Sequence, residues 1–254
     1  MLEHDEERAA LKNRIRRRGI YILPNLFTLA NLFAGFYAIV QAMNLNFDLA
    51  AIGIFVAMGM DSLDGRVARM TKTQSAFGAE FDSLADMVSF GAAPALVMYE
   101  WALRDVGKLG WIAAFLYCAC AALRLARFNV MLDVVDKRWF QGLPSPAAAA
   151  LVAGCIWIAE DYDIDPASIR GWAVFVTIFA GLTMVSNLKY YSGKSINLRK
   201  SVPFFVVLLA VVVVALTALQ PALVLFGGFV AYSVSGYVVS AWLYLRRRRA
   251  ASLH

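Results

Sequence analysis

The chain has 254 residues, of which 61% are hydrophobic and 17% are charged, and its formal net charge is +6. Soluble domains average about 45–50% apolar and about 25% charged residues, so this composition excludes an ordinary soluble domain and favours an integral membrane protein. Histidine occurs only at His4 and His254, which argues against a histidine-based catalytic triad or a histidine-ligated metal.

The first 20 residues are rich in basic side chains and precede the apolar part of the chain. In ALKNRIRRRG (10–19), Leu11 and Ile15 lie among the cations. This pattern is typical of a short amphipathic helix on an anionic cytoplasmic membrane surface. A solvated tail that only directs topology is the alternative.

Eight apolar blocks follow, each about as long as the roughly 20 residues that a helix needs to cross a bilayer. They cover about 21–43, 48–69, 76–100, 110–130, 145–160, 171–188, 202–219 and 222–245. We expect an all-α, polytopic membrane protein with about eight transmembrane helices, whose single membrane domain spans 21–245 and is followed by a basic tail at 246–254. Only Gln220 and Pro221 separate the last two blocks.

The distribution of charge predicts the orientation in the membrane. If both termini are cytoplasmic, all 24 basic residues except Arg104, Lys108 and Arg170 fall on the cytoplasmic side. This satisfies the positive-inside rule, whereas an odd number of helices would scatter the basic runs over both sides. The segment DSLDGRVAR (61–69) then lies at the cytoplasmic end of the second helix.

Carboxylates are the remaining candidates for chemistry. Cys118, Cys120 and Cys155 lie in apolar blocks and show no spacing of a zinc site or a disulfide framework.

Four aspartates lie on the second and third predicted helices, as the pairs Asp61/Asp64 and Asp82/Asp86. Residues three or four apart share one helix face, so each pair points in one direction. A turn around 71–76 makes the two helices antiparallel neighbours. We therefore expect the four carboxylates to converge near the cytoplasmic end of the bundle.

Four clustered carboxylates in a membrane need a compensating cation. A single Asp at mid-bilayer costs about 2.5–3.5 kcal/mol, so four cost on the order of 10 kcal/mol before any discount for shallow depth. Oxygen ligands favour hard cations such as Mg²⁺ or Mn²⁺, and a two-metal site suits phosphoryl transfer. Ion pairs with Arg66 and Arg69 are the alternative, although two cations would leave two anions unmatched.

Two glycines and an arginine extend this pattern. Gly65 follows Asp64 directly, and Gly78 lies opposite on the partner helix, so both permit a ligand or a helix to approach the backbone closely. Arg69 suits a phosphate or diphosphate ligand, with a snorkelling cation at a helix end as the alternative.

The spacing of these residues resembles that of a known family. Asp61, Asp64, Gly65, Ala68, Arg69, Gly78, Asp82 and Asp86 follow the pattern DxxDGxxAR, eight residues, GxxxDxxxD. This is similar to the signature of the CDP-alcohol phosphatidyltransferases. The segments PNLFTLANLFAG (24–35), RLARFN (124–129) and GLPSPAAA (142–149) resemble the bacterial, multi-pass phosphatidylserine synthases within it.

The resemblance implies transfer of a phosphatidyl group from CDP-diacylglycerol to the hydroxyl of L-serine, with release of CMP. It implies that two ions, Mg²⁺ or Mn²⁺, are held by Asp61, Asp64, Asp82 and Asp86, and that Asp86 is also the general base. The residues expected to bind the CDP-lipid are Asn25, Thr28, Gly65, Arg69 and Gly78. Asn25 has a second interpretation, as the cap of the first helix.

Arg124 and Arg127 end the fourth block on the side of the aspartates and are candidates to clamp the serine carboxylate. Topogenic or lipid-binding arginines are the alternative. The resemblance further implies a homodimer in the bacterial inner membrane, in contact with membrane phospholipids, with its active site facing the cytoplasm and no nucleic-acid partner.

Two other functions remain open from the residues alone. Another acceptor alcohol, such as glycerol 3-phosphate or inositol phosphate, would keep the same core. An ion transporter with a carboxylate relay is the non-enzymatic alternative, although residues 128–254 contain no second acidic pair that would mirror the first.

Overall fold

The computed structural model describes residues 24–71, 75–131, 139–191 and 204–251, and in these ranges it contains eight long helices and two short strands. The helices are α1 (Pro24–Met43), α2 (Phe47–Thr71), α3 (Ala76–Val106), α4 (Lys108–Met131), α5 (Ser145–Asp161), α6 (Arg170–Val185), α7 (Phe204–Leu219) and α8 (Pro221–Ala251). The strands β1 (Trp139–Gln141) and β2 (Lys189–Tyr191) pair antiparallel.

The predicted all-α membrane fold is confirmed. Five helices, α1, α3, α4, α8 and α6 with its leading 3₁₀ turn, are long and apolar enough to cross a membrane. Each predicted apolar block corresponds to one helix, and Gln220 separates α7 from α8. The number of membrane crossings and the cytoplasmic position of both termini stay predictions. The amphipathic helix predicted within 1–20 lies outside the described residues.

The first four helices alternate in direction, as hydrogen bonds between their ends show. Thr28, in the first turns of α1, donates to Asp64 near the end of α2. Asn129, near the end of α4, donates to Ser83 in the first turns of α3. The starts of α1 and α3 therefore meet the ends of α2 and α4 at one end of the bundle, which we call the aspartate end.

Helix α5 lies at the centre of the bundle and packs against α2, α3, α6 and α8. Its run of alanines at 147–150 is buried, together with most of its other residues. Apolar side chains gain little from leaving lipid, so helices in a membrane associate mainly through close packing, which small residues permit. The alanine-rich sequence of α5 thus explains its central position.

Helix α3 is continuous but contains π-helical segments at Met87–Ala92 and Tyr99–Leu103. Pro94 lies just after the first of these and has no N–H to donate to the Phe90 carbonyl one turn earlier. The buried Tyr117 hydroxyl of α4 donates to that carbonyl instead, at 3.0 Å. A side chain of a neighbouring helix therefore satisfies the backbone group that proline leaves free, as membrane helices require.

The two strands cross the aspartate end and are joined to α8. Gly142 follows β1 with φ +77°, and a Cβ there would overlap the carbonyl oxygen of Met184, so the turn requires glycine. Tyr190 of β2 donates its hydroxyl to the Ser233 carbonyl of α8 at 3.0 Å. Burial raises the pKa of Tyr190, which keeps this hydroxyl protonated. Composition alone did not predict these strands.

Candidate functional site

Three of the four predicted aspartates form a compact group, which we call the aspartate cluster. Asp61 and Asp64 come from α2 and Asp82 comes from α3, and one carboxylate oxygen of each lies within 4.8 Å of the others. Asp64 is buried, with 5% of its surface exposed, and the other two are partly buried. The predicted convergence of the two helix faces is therefore present in the structure.

Helix α1 supplies hydrogen-bond donors to both acidic helices. Thr28 donates its hydroxyl to Asp64 Oδ2 at 2.9 Å. Asn31, one turn further along α1, donates its side-chain amide to Asp86 Oδ1 at 3.1 Å. Asp86 lies one turn beyond Asp82 on α3, and the two face one cavity. The first helix therefore fixes one oxygen of a carboxylate on each neighbour.

The donor atoms of the cluster suit a divalent cation. All are carboxylate oxygens, which hard cations such as Mg²⁺ and Mn²⁺ prefer. The Oδ1 atom of Asp82 is buried and has no hydrogen-bond partner among the described residues. Mutual repulsion between neighbouring carboxylates is costly unless a cation or protons offset it. A metal centre fits both the orphaned oxygen and the clustered charge.

Ion pairs do not neutralise the cluster. In the described part of the chain, no ion pair joins an aspartate of the cluster to Arg66 or Arg69, and both arginines are exposed. Arg69 lies within electrostatic range of Asp64 but does not contact it. The ion-pair alternative is therefore not what the structure shows.

A cavity of about 390 Å³ opens beside the cluster, between α1, α2, α3 and α4. Among the residues predicted for the CDP-lipid and metal sites, those that line it are Asn25, Thr28, Asp64, Gly65, Arg69, Gly78, Asp82 and Asp86. Asp61 is not part of its wall, although its carboxylate belongs to the cluster. The sequence pattern and the cavity thus describe one site.

The glycines leave room in the wall of this cavity. A Cβ on Gly65 would meet only the Arg69 guanidinium, at 3.6 Å. A Cβ on Gly78 would lie 3.1 Å from Ser75 Oγ and 3.2 Å from Asn25 Oδ1. Ser75 caps α3 by accepting from the Gly78 N–H at 3.0 Å. Any side chain at 78 would press on both the cap and Asn25.

The two arginines of α4 have different surroundings. Arg124 Nη1 donates to Ser145 Oγ at 2.8 Å, whereas Nε is buried and has no hydrogen-bond partner in the part of the chain that the structure describes. Its electrostatic neighbours include Asp61 and Asp86. Arg127 instead donates to Asn187 Oδ1 at 2.9 Å, beyond the end of α6. Neither arginine is in the wall of the cavity.

Several polar residues of the site were not predicted. Asn31 is fully buried, and Ser145, also fully buried, holds Arg124. For Asn31 a signal existed, because Asn25, Thr28 and Asn31 recur every three residues in an otherwise apolar helix and share a face. Ser145 lies in the segment GLPSPAAA (142–149) that carries part of the family resemblance, but its contact with Arg124 was not visible, because that partner lies on another helix.

Comparison with known proteins agrees with this geometry. Residues 21–185 match the family model described as CDP-alcohol phosphatidyltransferase. A Helicobacter pylori protein, named CDP-diacylglycerol--serine O-phosphatidyltransferase, is 34% identical over 226 residues, which cover 89% of this chain and 93% of the relative. Two further proteins of the same name are similar. The one from Methanocaldococcus jannaschii is 39% identical over 68% of this chain and 75% of the relative. The one from Mycobacterium bovis is 35% identical over 85% of this chain and 78% of the relative.

Proposed function

Because the chain belongs to the CDP-alcohol phosphatidyltransferase family, we propose that it transfers the phosphatidyl group of CDP-diacylglycerol to L-serine, giving phosphatidylserine and CMP. The observation that carries this proposal is the aspartate cluster. Its residues have the spacing of the family signature, and the cluster lies beside a cavity. The choice of serine as acceptor rests on the names of the similar proteins.

In this reaction the serine hydroxyl oxygen bonds to the phosphorus that carries the diacylglycerol. The bond from that phosphorus to the CMP oxygen breaks, and the serine hydroxyl proton passes to the Asp86 carboxylate. A carboxylate suits this role because a general base must lie within hydrogen-bond reach of the proton that it accepts. Asp86 faces the cavity and keeps Oδ2 free of the Asn31 amide.

Asp61, Asp64, Asp82 and Asp86 would hold the divalent metal, as two ions of Mg²⁺ or Mn²⁺. When bound, these ions would offset the negative charge that develops on the transferring phosphate. The protein contributes the arrangement of oxygens: Thr28 holds Oδ2 of Asp64, and no donor among the described residues competes with a cation for the buried Oδ1 of Asp82.

The CDP part of the lipid would occupy the cavity between α1 and α3. Gly65 and Gly78, which line this cavity, would leave space for the cytidine and its ribose, and Arg69 would bind the diphosphate. Asn25 offers an amide beside Gly78. Thr28 already donates its hydroxyl hydrogen to Asp64, so toward the nucleotide it can act only as an acceptor. The acyl chains would remain in the bilayer.

Arg124 is the better placed of the two arginines for the serine carboxylate. Within the described ranges its buried Nε–H has no partner, and Ser145 in the first turn of α5 accepts from Arg124 and keeps a hydroxyl hydrogen to donate. The positive end of the α5 dipole favours an anion at this position. Arg127 donates to Asn187 and would contribute to serine binding only from the edge of the site.

The orientation follows the predicted charge distribution, with the aspartate end and both termini in the cytoplasm of a bacterial cell and the domain in its inner membrane. The ion pairs Arg104–Glu100 and Arg170–Asp105 lie at the opposite end of the bundle. A homodimer in contact with membrane phospholipids completes this proposal on the strength of the family resemblance.

The test is an assay of CMP release by the purified protein in mixed micelles with CDP-diacylglycerol and Mn²⁺ or Mg²⁺. Release that depends on L-serine, and that is abolished in Asp86→Asn while CDP binding persists, supports the proposal. Release that requires glycerol 3-phosphate or inositol phosphate instead would overturn the choice of acceptor. Absence of both CMP release and CDP binding would favour a transporter.

A further inference from the structure

Asn31 is a fully buried polar residue on the apolar helix α1, and among the described residues its one side-chain hydrogen bond reaches the proposed base. The amide nitrogen donates to Asp86 Oδ1 at 3.1 Å. The amide oxygen is buried and has no partner among the described residues. Leaving an acceptor unsatisfied costs about 1–3 kcal/mol, so an apolar residue of the same size would pack here at lower cost. The amide therefore needs a reason other than stability.

The contact between α1 and α3 keeps this amide in place. Ser89 of α3 is also fully buried and donates its hydroxyl to the Asn31 carbonyl at 3.0 Å. Gly35 faces Ser89 so closely that a Cβ there would overlap the Ser89 hydroxyl. The two backbones are thus in direct contact one turn after Asn31, and the amide cannot withdraw from Asp86.

The direction of the amide is determined by its partner. A carboxylate oxygen only accepts hydrogen bonds when it is ionised, so the NH₂ group must face Asp86 and the amide oxygen must face away. The opposite rotamer would place two acceptors against each other. The unsatisfied amide oxygen is the consequence of donating to Asp86.

We propose that Asn31 is a positioning residue for the general base: by holding Oδ1 of Asp86 it keeps the carboxylate turned so that Oδ2 faces the serine hydroxyl. The torsion about the Cβ–Cγ bond of an aspartate is broad, so an unheld carboxylate samples orientations from which the proton is out of reach. This inference rests on the function proposed above and adds a residue of α1 to it.

The test compares Asn31→Leu, which keeps the size of the side chain and removes the donor, with the control Thr177→Val, which also keeps the size of its side chain. The control removes a fully buried hydrogen bond, from the Thr177 hydroxyl to the Ala173 carbonyl within α6, but leaves the Asp86 contact intact. We expect kcat of Asn31→Leu to fall about 10–100-fold, as for other residues that orient reactive groups. We expect the KM values of Asn31→Leu for CDP-diacylglycerol and for L-serine to change less than threefold, and kcat of Thr177→Val to stay within twofold of wild type.

A second variant, Asn31→Ala, guards against misfolding of the first and should show the same loss of kcat. Equal losses in Asn31→Leu and Thr177→Val would show a purely structural role and overturn the proposal. Recovery of the Asn31→Leu rate at saturating Mn²⁺ would also overturn it, because Asn31 would then support metal binding. A wild-type protein without serine-dependent CMP release would refute the proposed function itself, which is a different result.

Discussion

Replacing Arg124 by glutamine should weaken the binding of serine much more than that of CDP-diacylglycerol. The buried Nε–H of Arg124 has no hydrogen-bond partner among the described residues and is available to the serine carboxylate. A hydrogen bond between charged groups contributes about 1.5–3 kcal/mol. At about 1.4 kcal/mol per factor of ten, its loss should raise KM for serine roughly 10–150-fold.

The assay is CMP release with each substrate varied in turn, alongside thermal unfolding of the purified variants. Ethanolamine, which is serine without its carboxylate, adds a direct comparison. If Arg124 binds the carboxylate, the preference of wild type for serine over ethanolamine should shrink in Arg124→Gln by about the factor by which KM rises. Lys189→Gln removes an exposed positive charge at the same end and should leave KM for serine within twofold.

Two results would refute this reasoning. If KM rises equally for serine and for CDP-diacylglycerol, Arg124 supports the neighbouring Asp61 and Asp86 and does not bind serine. If the preference for serine over ethanolamine is unchanged in Arg124→Gln, the carboxylate is bound elsewhere.

Three further predictions concern the cavity and its surroundings. Gly78→Ala should raise KM for CDP-diacylglycerol several-fold, because its Cβ would press on Asn25 and Ser75. The control Gly59→Ala on α2, where a Cβ meets nothing within 4 Å, should leave this KM unchanged. The measurement is the rate of CMP release as a function of CDP-diacylglycerol concentration. Gly142→Ala should lower the thermal unfolding midpoint. A residue with a Cβ at φ +77° costs about 1–2 kcal/mol of stability, and its overlap with the Met184 carbonyl adds to this cost. An unchanged midpoint would contradict the turn geometry. Treatment with EDTA should abolish CMP release and added Mn²⁺ or Mg²⁺ should restore it, while release that survives chelation would exclude the metal role.

The helices and the acidic site were largely predictable from sequence, because each depends on local spacing. Apolar blocks of membrane-spanning length correspond to the eight helices, and the three- and four-residue intervals between aspartates place each pair on one face. The end of α3 was less predictable. The prediction ended near residue 100, whereas the helix continues through the π-helical segment Tyr99–Leu103 and a 3₁₀ turn to Val106. These turns depend on packing against neighbouring helices, which local patterns do not encode.

Partners on distant helices were the main gap. The sequence shows Arg124 and Arg127 one turn apart, but their separate environments depend on Ser145 and Asn187, which only folding brings near. Asn31 was visible as a polar residue in an apolar helix, yet its role required the position of Asp86. Residues that hold other residues in place are therefore the part of the site that the structure adds.

The most direct test of the central claim is the binding of Mn²⁺ to the purified protein, followed by electron paramagnetic resonance in the presence and absence of CDP. The account predicts two bound ions per chain in the wild type, a changed signal when CDP is added, and loss of binding in Asp82→Asn. A folded wild-type protein that binds no Mn²⁺, or an Asp82→Asn variant that binds it equally well, would contradict the account.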